Sequence, residues 1–89
     1  MSYSGVFQHL DSPLIGTTWK EQKVPTGSSE RICIVNTSQT EDLYVSFDGG
    51  THYLTLPKKG GSLSEYVNVT KFWLKASGVN TSWQGYVIT

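Results

Sequence analysis

Leu43-Tyr44-Val45-Ser46-Phe47-Asp48-Gly49-Gly50-Thr51-His52-Tyr53-Leu54-Thr55-Leu56 is the stretch on which the fold reading turns. Successive side chains of a strand point to opposite faces. Leu43, Val45 and Phe47 therefore share one face, and Tyr44 and Ser46 the other. Asp48-Gly49-Gly50 supplies residues that accept positive φ, as tight hairpin turns require. Thr51 to Leu56 returns, with Leu54 and Leu56 directed inward. Two such runs about an Asp-Gly-Gly centre predict an antiparallel hairpin.

Similar runs extend in both directions. Upstream, Arg31-Ile32-Cys33-Ile34-Val35 is the most β-branched run and reads as a central strand. The polar loop Asn36 to Asp42 joins it to the hairpin. Thr17 to Val24 sets Trp19 among polar residues and reads as an edge strand, broken by Pro25-Thr26-Gly27-Ser28. Downstream, Pro57 to Gly61 turns the chain with Lys58 and Lys59 at its tip. Leu63 to Val69 reads as a strand with Leu63, Val67 and Val69 on one face, and Lys71 to Ala76 alternates Phe72, Leu74 and Ala76. Ser77 to Asn80 turns again, and Ser82 to Ile88 closes the chain, with Gly85 marking a bulge or a close backbone approach. No segment keeps a helical period beyond two turns. The expected class is all-β, a compact antiparallel β-sandwich of six to seven short strands.

Residues 1–16 stand outside this pattern. Gly5, Pro13 and Gly16 interrupt any period, and Ser12-Pro13 would cut short a helix begun at Val6. Tyr3, Val6, Phe7, Leu10, Leu14 and Ile15 nevertheless make the segment apolar. It reads as an extended N-terminal arm that orders against the body or a neighbouring subunit, or else as a partly frayed terminus. The expected division is an arm at 1–16 and a β-sandwich domain at 17–89. A chain of 89 residues holds one core and buries roughly 60–65% of its unfolded surface, a thin margin. Oligomerisation or docking would supplement it.

Charge narrows the partners. Seven basic residues balance seven acidic ones, and the basic ones are scattered. Without a basic face to neutralise phosphates, direct nucleic-acid binding is not expected. A single cysteine, Cys33, leaves no intramolecular disulfide. No apolar run approaches the roughly 20 residues of a membrane span, and Met1 to Gly16 lacks the basic start and apolar core of a secretory signal. The expectation is folding in a reducing cytoplasm, with no membrane partner.

Catalytic chemistry finds little footing. His9 and His52 are the only histidines, and a zinc site needs several ligands at motif spacing. Cys33 in a β-branched run behaves as a small apolar residue, and no motif supports a Cys33–His52 dyad. Glu21, Glu30, Glu41, Asp42, Asp48 and Glu65 would make a glycosidase pair only by proximity in space. Asp48 is accounted for by its turn, and its loop lacks the further ligands of a calcium site. Neither Gly49-Gly50 nor Gly60-Gly61 opens a helix, as a phosphate-binding loop would. No catalytic residue, metal or cofactor is expected, and the chain reads as a non-enzyme.

Aromatic placement is more informative. Tyr44, Tyr53 and Trp73 fall out of phase with the apolar residues of their strands, and outward aromatics mark interfaces. With the arm residues Tyr3, Val6, Phe7, Leu10, Leu14 and Ile15 they form the candidate partner-binding set. Trp73, Trp83, Tyr44 and Tyr53 could instead form a sugar-stacking platform, or simply pack within an uneven sandwich.

Arg31-Ile32-Cys33-Ile34-Val35-Asn36, then Leu43 to Thr51 and Leu56-Pro57, resembles small β-sandwich structural proteins of tailed bacteriophage virions. In these a strand ending in Asn leads to a "YVSFDGGT" type hairpin, a Gly-rich turn and a Val-rich strand. Gly60-Gly61-Ser62-Leu63 and Val67-Asn68-Val69 fit that continuation. The resemblance spans Arg31 to Ala76, omits the arm and carries over no functional residue. It implies a virion protein assembled in the host cytoplasm, a capsid decoration (cement) protein bound to the major capsid protein or another virion protein. A neck or tail component is the nearest variant. Self-association, as a trimer at a threefold position, would suit that role.

Overall fold

The computed structural model describes residues 7–10, 13–24 and 31–88. Their regular structure is entirely strand, with no helix among them. In chain order the strands are β1 (Phe7–His9), β2 (Lys20–Lys23), β3 (Arg31–Asn36), β4 (Leu43–Ser46), β5 (Leu54–Leu56), β6 (Ser62–Tyr66), β7 (Lys71–Ala76) and β8 (Trp83–Ile88). They form two antiparallel four-stranded sheets, ordered β1-β8-β3-β6 and β2-β7-β4-β5.

Alternation decides which side chains each sheet buries. β7 turns Phe72, Leu74 and Ala76 inward and Lys71, Trp73 and Lys75 outward. β3, central in its sheet, contributes Ile32 and Ile34, neither with accessible surface. The inner faces meet in one core, to which Leu63, Val87 and Trp83 add from the first sheet and Leu43, Val45 and Leu56 from the second. Phe72 and Trp83 join the sheets edge to face, their centroids 6.4 Å apart. Gly85 is a close approach: a Cβ there would lie 2.8 Å from the Trp83 ring.

The segment before Thr17 corrects the expected division. β1 pairs with β8, from Phe7↔Ile88 to His9↔Tyr86, bringing the described strands to eight. Leu10 N–H donates to Gly85 O, and Ile15 and Thr81 exchange both backbone hydrogen bonds. The Trp83 indole N–H donates to Pro13 O at 2.7 Å. Ile15 has no exposed surface and Leu10 only 9%. Both belong to the core rather than to a partner surface. The cause is non-local: β8 would otherwise present an unpaired edge, and a small domain has apolar area to gain by covering it. Leu14 stays exposed. Tyr3 and Val6 lie outside the described residues, and the Phe7 side chain does too.

Two local expectations also change. Leu54 is 48% exposed, although it pairs with Val45 on the inner side, because β5 is a short edge strand. Thr51 to Tyr53 do not extend that strand, since the Asp48 side chain claims the His52 backbone N–H. Val67 and Val69 pack on the core from beyond the end of β6.

Candidate partner-binding face

The outer face of the β2-β7-β4-β5 sheet gathers the unusual side chains. Register places Tyr44 opposite Lys75, and Glu21 and Ser46 opposite Trp73. Tyr53, just before β5, packs on Tyr44 at 5.4 Å between centroids, and Trp19, just before β2, packs on Tyr53 at 5.7 Å. Into the cup of these three rings reaches Lys75 Nζ, 4.9 Å from the Trp19 centroid, 5.6 Å from Tyr44 and 5.8 Å from Tyr53. All three lie within cation–π range. Lys71 Nζ sits 5.4 Å from the Trp73 ring and 3.4 Å from a Glu21 carboxylate oxygen. Both side chains of that ion pair are exposed, so it adds little stability.

The hairpin turn anchors the cup. Gly49 and Gly50 have φ of 81° and 105°. At Gly50 the missing side chain matters twice, because a Cβ would fall 2.5 Å from Trp19 Nε1. Gly50→Ala is expected to cost about 1–2 kcal/mol from the left-handed backbone alone. It should also lift Trp19 from the cup. Thermal unfolding and a red-shifted tryptophan emission check the two effects.

Ser46 Oγ accepts the Gly50 N–H at 2.8 Å and donates to Asp48 Oδ1 at 2.8 Å. Asp48 Oδ1 also accepts the His52 N–H at 2.9 Å, and Asp48 Oδ2 lies 2.7 Å from His52 Nδ1. These donors, the His52 backbone N–H foremost, then its imidazole and the Ser46 hydroxyl, hold the Asp48 carboxyl below the usual carboxylate range. An ionised carboxylate only accepts, so Nδ1 carries a hydrogen. The lowered value means that the folded turn resists protonation. Its stabilising effect is full above the ordinary value of 3.8 and is lost as the pH falls below it. Asp48→Asn should therefore flatten the acid limb of a stability-versus-pH curve.

The remaining chemical candidates are engaged separately. Cys33, buried, donates to Ser64 Oγ at 3.4 Å, whereas His52 belongs to the Asp48 turn. Among the described residues no three His, Cys, Asp or Glu side chains are grouped to hold a metal. Compared with known proteins, the chain matches no protein family, no curated sequence and no solved structure.

Of the residues singled out in the sequence, Tyr44, Tyr53 and Trp73 lie on this outer face, and Tyr44 and Tyr53 meet. Trp83 is only 2% exposed, in the core, so it cannot join a sugar-stacking platform. Trp19, Lys71 and Lys75 complete the face and were not in the candidate set. Lys75 was within reach: it alternates with Leu74 and Ala76 and so faces outward beside Trp73. Trp19 lies outside any strand, and only the turn that leaves room for it brings it in.

Proposed function

We propose that this protein is a non-catalytic virion structural protein of a tailed bacteriophage, a decoration protein that binds and stabilises the outer capsid shell. The observation that carries the reading is the outward face of Trp19, Tyr44, Tyr53, Trp73, Lys71 and Lys75. Aromatic and cationic side chains grouped on a rigid sheet suit a binding surface. The Arg31 to Ala76 resemblance supports the virion setting. A neck or tail component would use the same face in fewer copies. Attachment through Leu10 and Ile15 has no support, since both fill the core. Sugar stacking has less support than a protein interface, because the cup rings are inclined at 57° and 76° rather than forming one flat platform.

Quantitative mass spectrometry of purified particles tests the proposal. A copy number comparable to that of the major shell protein is expected for decoration. A handful of copies per particle would move the protein to the neck or tail, and absence from clean particles would overturn the virion reading.

A further inference from the structure

Each sheet of the fold has two edges: β1 and β6 bound one, β2 and β5 the other. An unpaired edge strand invites a further strand, and charged side chains on it discourage that pairing. β2 carries Lys20, Glu21 and Lys23, and β6 carries Glu65. β5 reads Leu54-Thr55-Leu56, without charge, and among the described residues it pairs with β4 alone. The chain is exposed from Thr51 to Thr55, Tyr53 by 53% and Leu54 by 48%. We propose that β5 pairs antiparallel with β5 of a second copy of this chain. The two β2-β7-β4-β5 sheets then join across a two-fold axis at Thr55.

Both the apolar surface and the charges of this edge suit a second copy. A pair centred on Thr55 uses the whole strand, setting Leu54 against Leu56 of the second copy and Thr55 against its own counterpart. Leu54 and Leu56 share the inner side of the sheet with their partners Val45 and Leu43, so the exposed Leu54 gains an apolar cross-strand neighbour. On that inner side Val45, Phe47 and Leu54 wall a pocket of about 230 Å³, with Asp48 and His52 on its polar side. The same register brings the 57–61 turn of the second copy opposite His52. Lys58 and Lys59 of that turn are exposed and, among the described residues, in no ion pair. The Asp48 carboxylate has the His52 ring beside it but no lysine or arginine. Pairing therefore sets each basic turn beside the acidic turn of the other copy, twice by symmetry.

The contact is small. Three strand residues and two turns fall short of the roughly 800 Å² per partner of a standard interface. The dimer is accordingly weak, with a dissociation constant on the order of 10–500 μM. It does not depend on the virion reading.

Sedimentation equilibrium of the full chain, up to about 1 mM, tests the proposal and should show a reversible monomer–dimer equilibrium in that range. Leu54→Lys puts a charge on the edge and should weaken the dimer at least about tenfold. Replacing both turn lysines, Lys58→Gln with Lys59→Gln, should weaken it about fivefold. All three positions are exposed, and circular dichroism verifies that the variants fold. Opposed residues of an antiparallel pair have Cα atoms about 4.5–5.5 Å apart, within the span of a disulfide. Thr55→Cys should therefore yield a disulfide-linked dimer under mild oxidation, whereas Glu21→Cys, on the opposite edge strand, should not. The native Cys33 is buried. A chain monomeric at the highest concentration, a dimer undiminished by Leu54→Lys, or equal cross-linking through Glu21→Cys would overturn the proposal. A trimer would overturn it as well. Each of these results leaves the virion reading to its own test, the copy number in purified particles.

Discussion

A chain lacking residues 1–16 is expected to be unfolded at room temperature, with no thermal transition and no near-ultraviolet dichroism. The truncation removes β1 and so bares one edge of β8. It takes Ile15 and Leu10 out of the core. Emptying a buried Leu or Ile site ordinarily costs about 2–5 kcal/mol, and two sites are emptied here. The buried Trp83 loses the Pro13 carbonyl that accepts its indole N–H, a further cost of about 1–3 kcal/mol if the donor stays dry. Thr81, 1% exposed, loses both backbone partners at Ile15. Set against the roughly 5–15 kcal/mol that stabilises an ordinary domain, and the thin margin of a small one, the sum leaves nothing to hold the sheets together. A truncated chain that unfolded cooperatively near the parent midpoint would show that the segment is an appendage after all. The milder variant Ile15→Ala separates the packing part from the edge-strand part, and should lower the midpoint by roughly 10–30 °C.

The body of the sandwich was legible for a physical reason. β3, β4 and β7 each place two or more large apolar residues at a spacing of two, and their positions inside a sheet allow burial of every one. Such strands report their orientation through local pattern alone. The first sixteen residues were opaque because they have no period of their own. The course of the described ones, 7–10 and 13–16, follows the edge of β8, which lies some seventy residues along the chain from Pro13 in the case of Trp83. Leu54 misled for a related reason: alternation gives the side to which a residue points but not whether another strand stands beyond it. The binding face was half legible. Outward phase revealed Tyr44 and Trp73, but the meeting of Lys75 with Trp19, Tyr44 and Tyr53 depends on β4–β7 register and on the bare backbone at Gly50. Neither is written in any single segment.

Asn36 carries the other large expected effect, and its importance was hidden by its place at the start of a polar run. It ends β3 with no accessible surface. Its side-chain amide donates to Glu41 O at 2.8 Å and Leu56 O at 3.0 Å, while its side-chain oxygen accepts the Ser38 N–H at 2.9 Å. Its backbone N–H donates to Gly61 O, and its carbonyl accepts from Gly60 N. One residue thereby fastens the 36–42 loop, the end of β5 and the 57–61 turn at the same pole of the sandwich. Asn36→Leu keeps a similar volume but leaves two carbonyls and one N–H without their partner. At about 1–3 kcal/mol for each group that remains dry, the expected loss is on the order of 3–6 kcal/mol, and the thermal midpoint should fall by at least about 15 °C. Asn36→Asp is the sharper probe. It preserves shape and the bond from Ser38, but it turns two donors into an acceptor facing two carbonyl oxygens. Its stability should therefore recover as the pH falls and the new carboxyl is protonated, while Asn36→Leu shows no such recovery. Equal pH dependence of the two variants would mean that water enters this pole and replaces the lost bonds, and that the asparagine is a convenience of packing rather than the fastening of three loops.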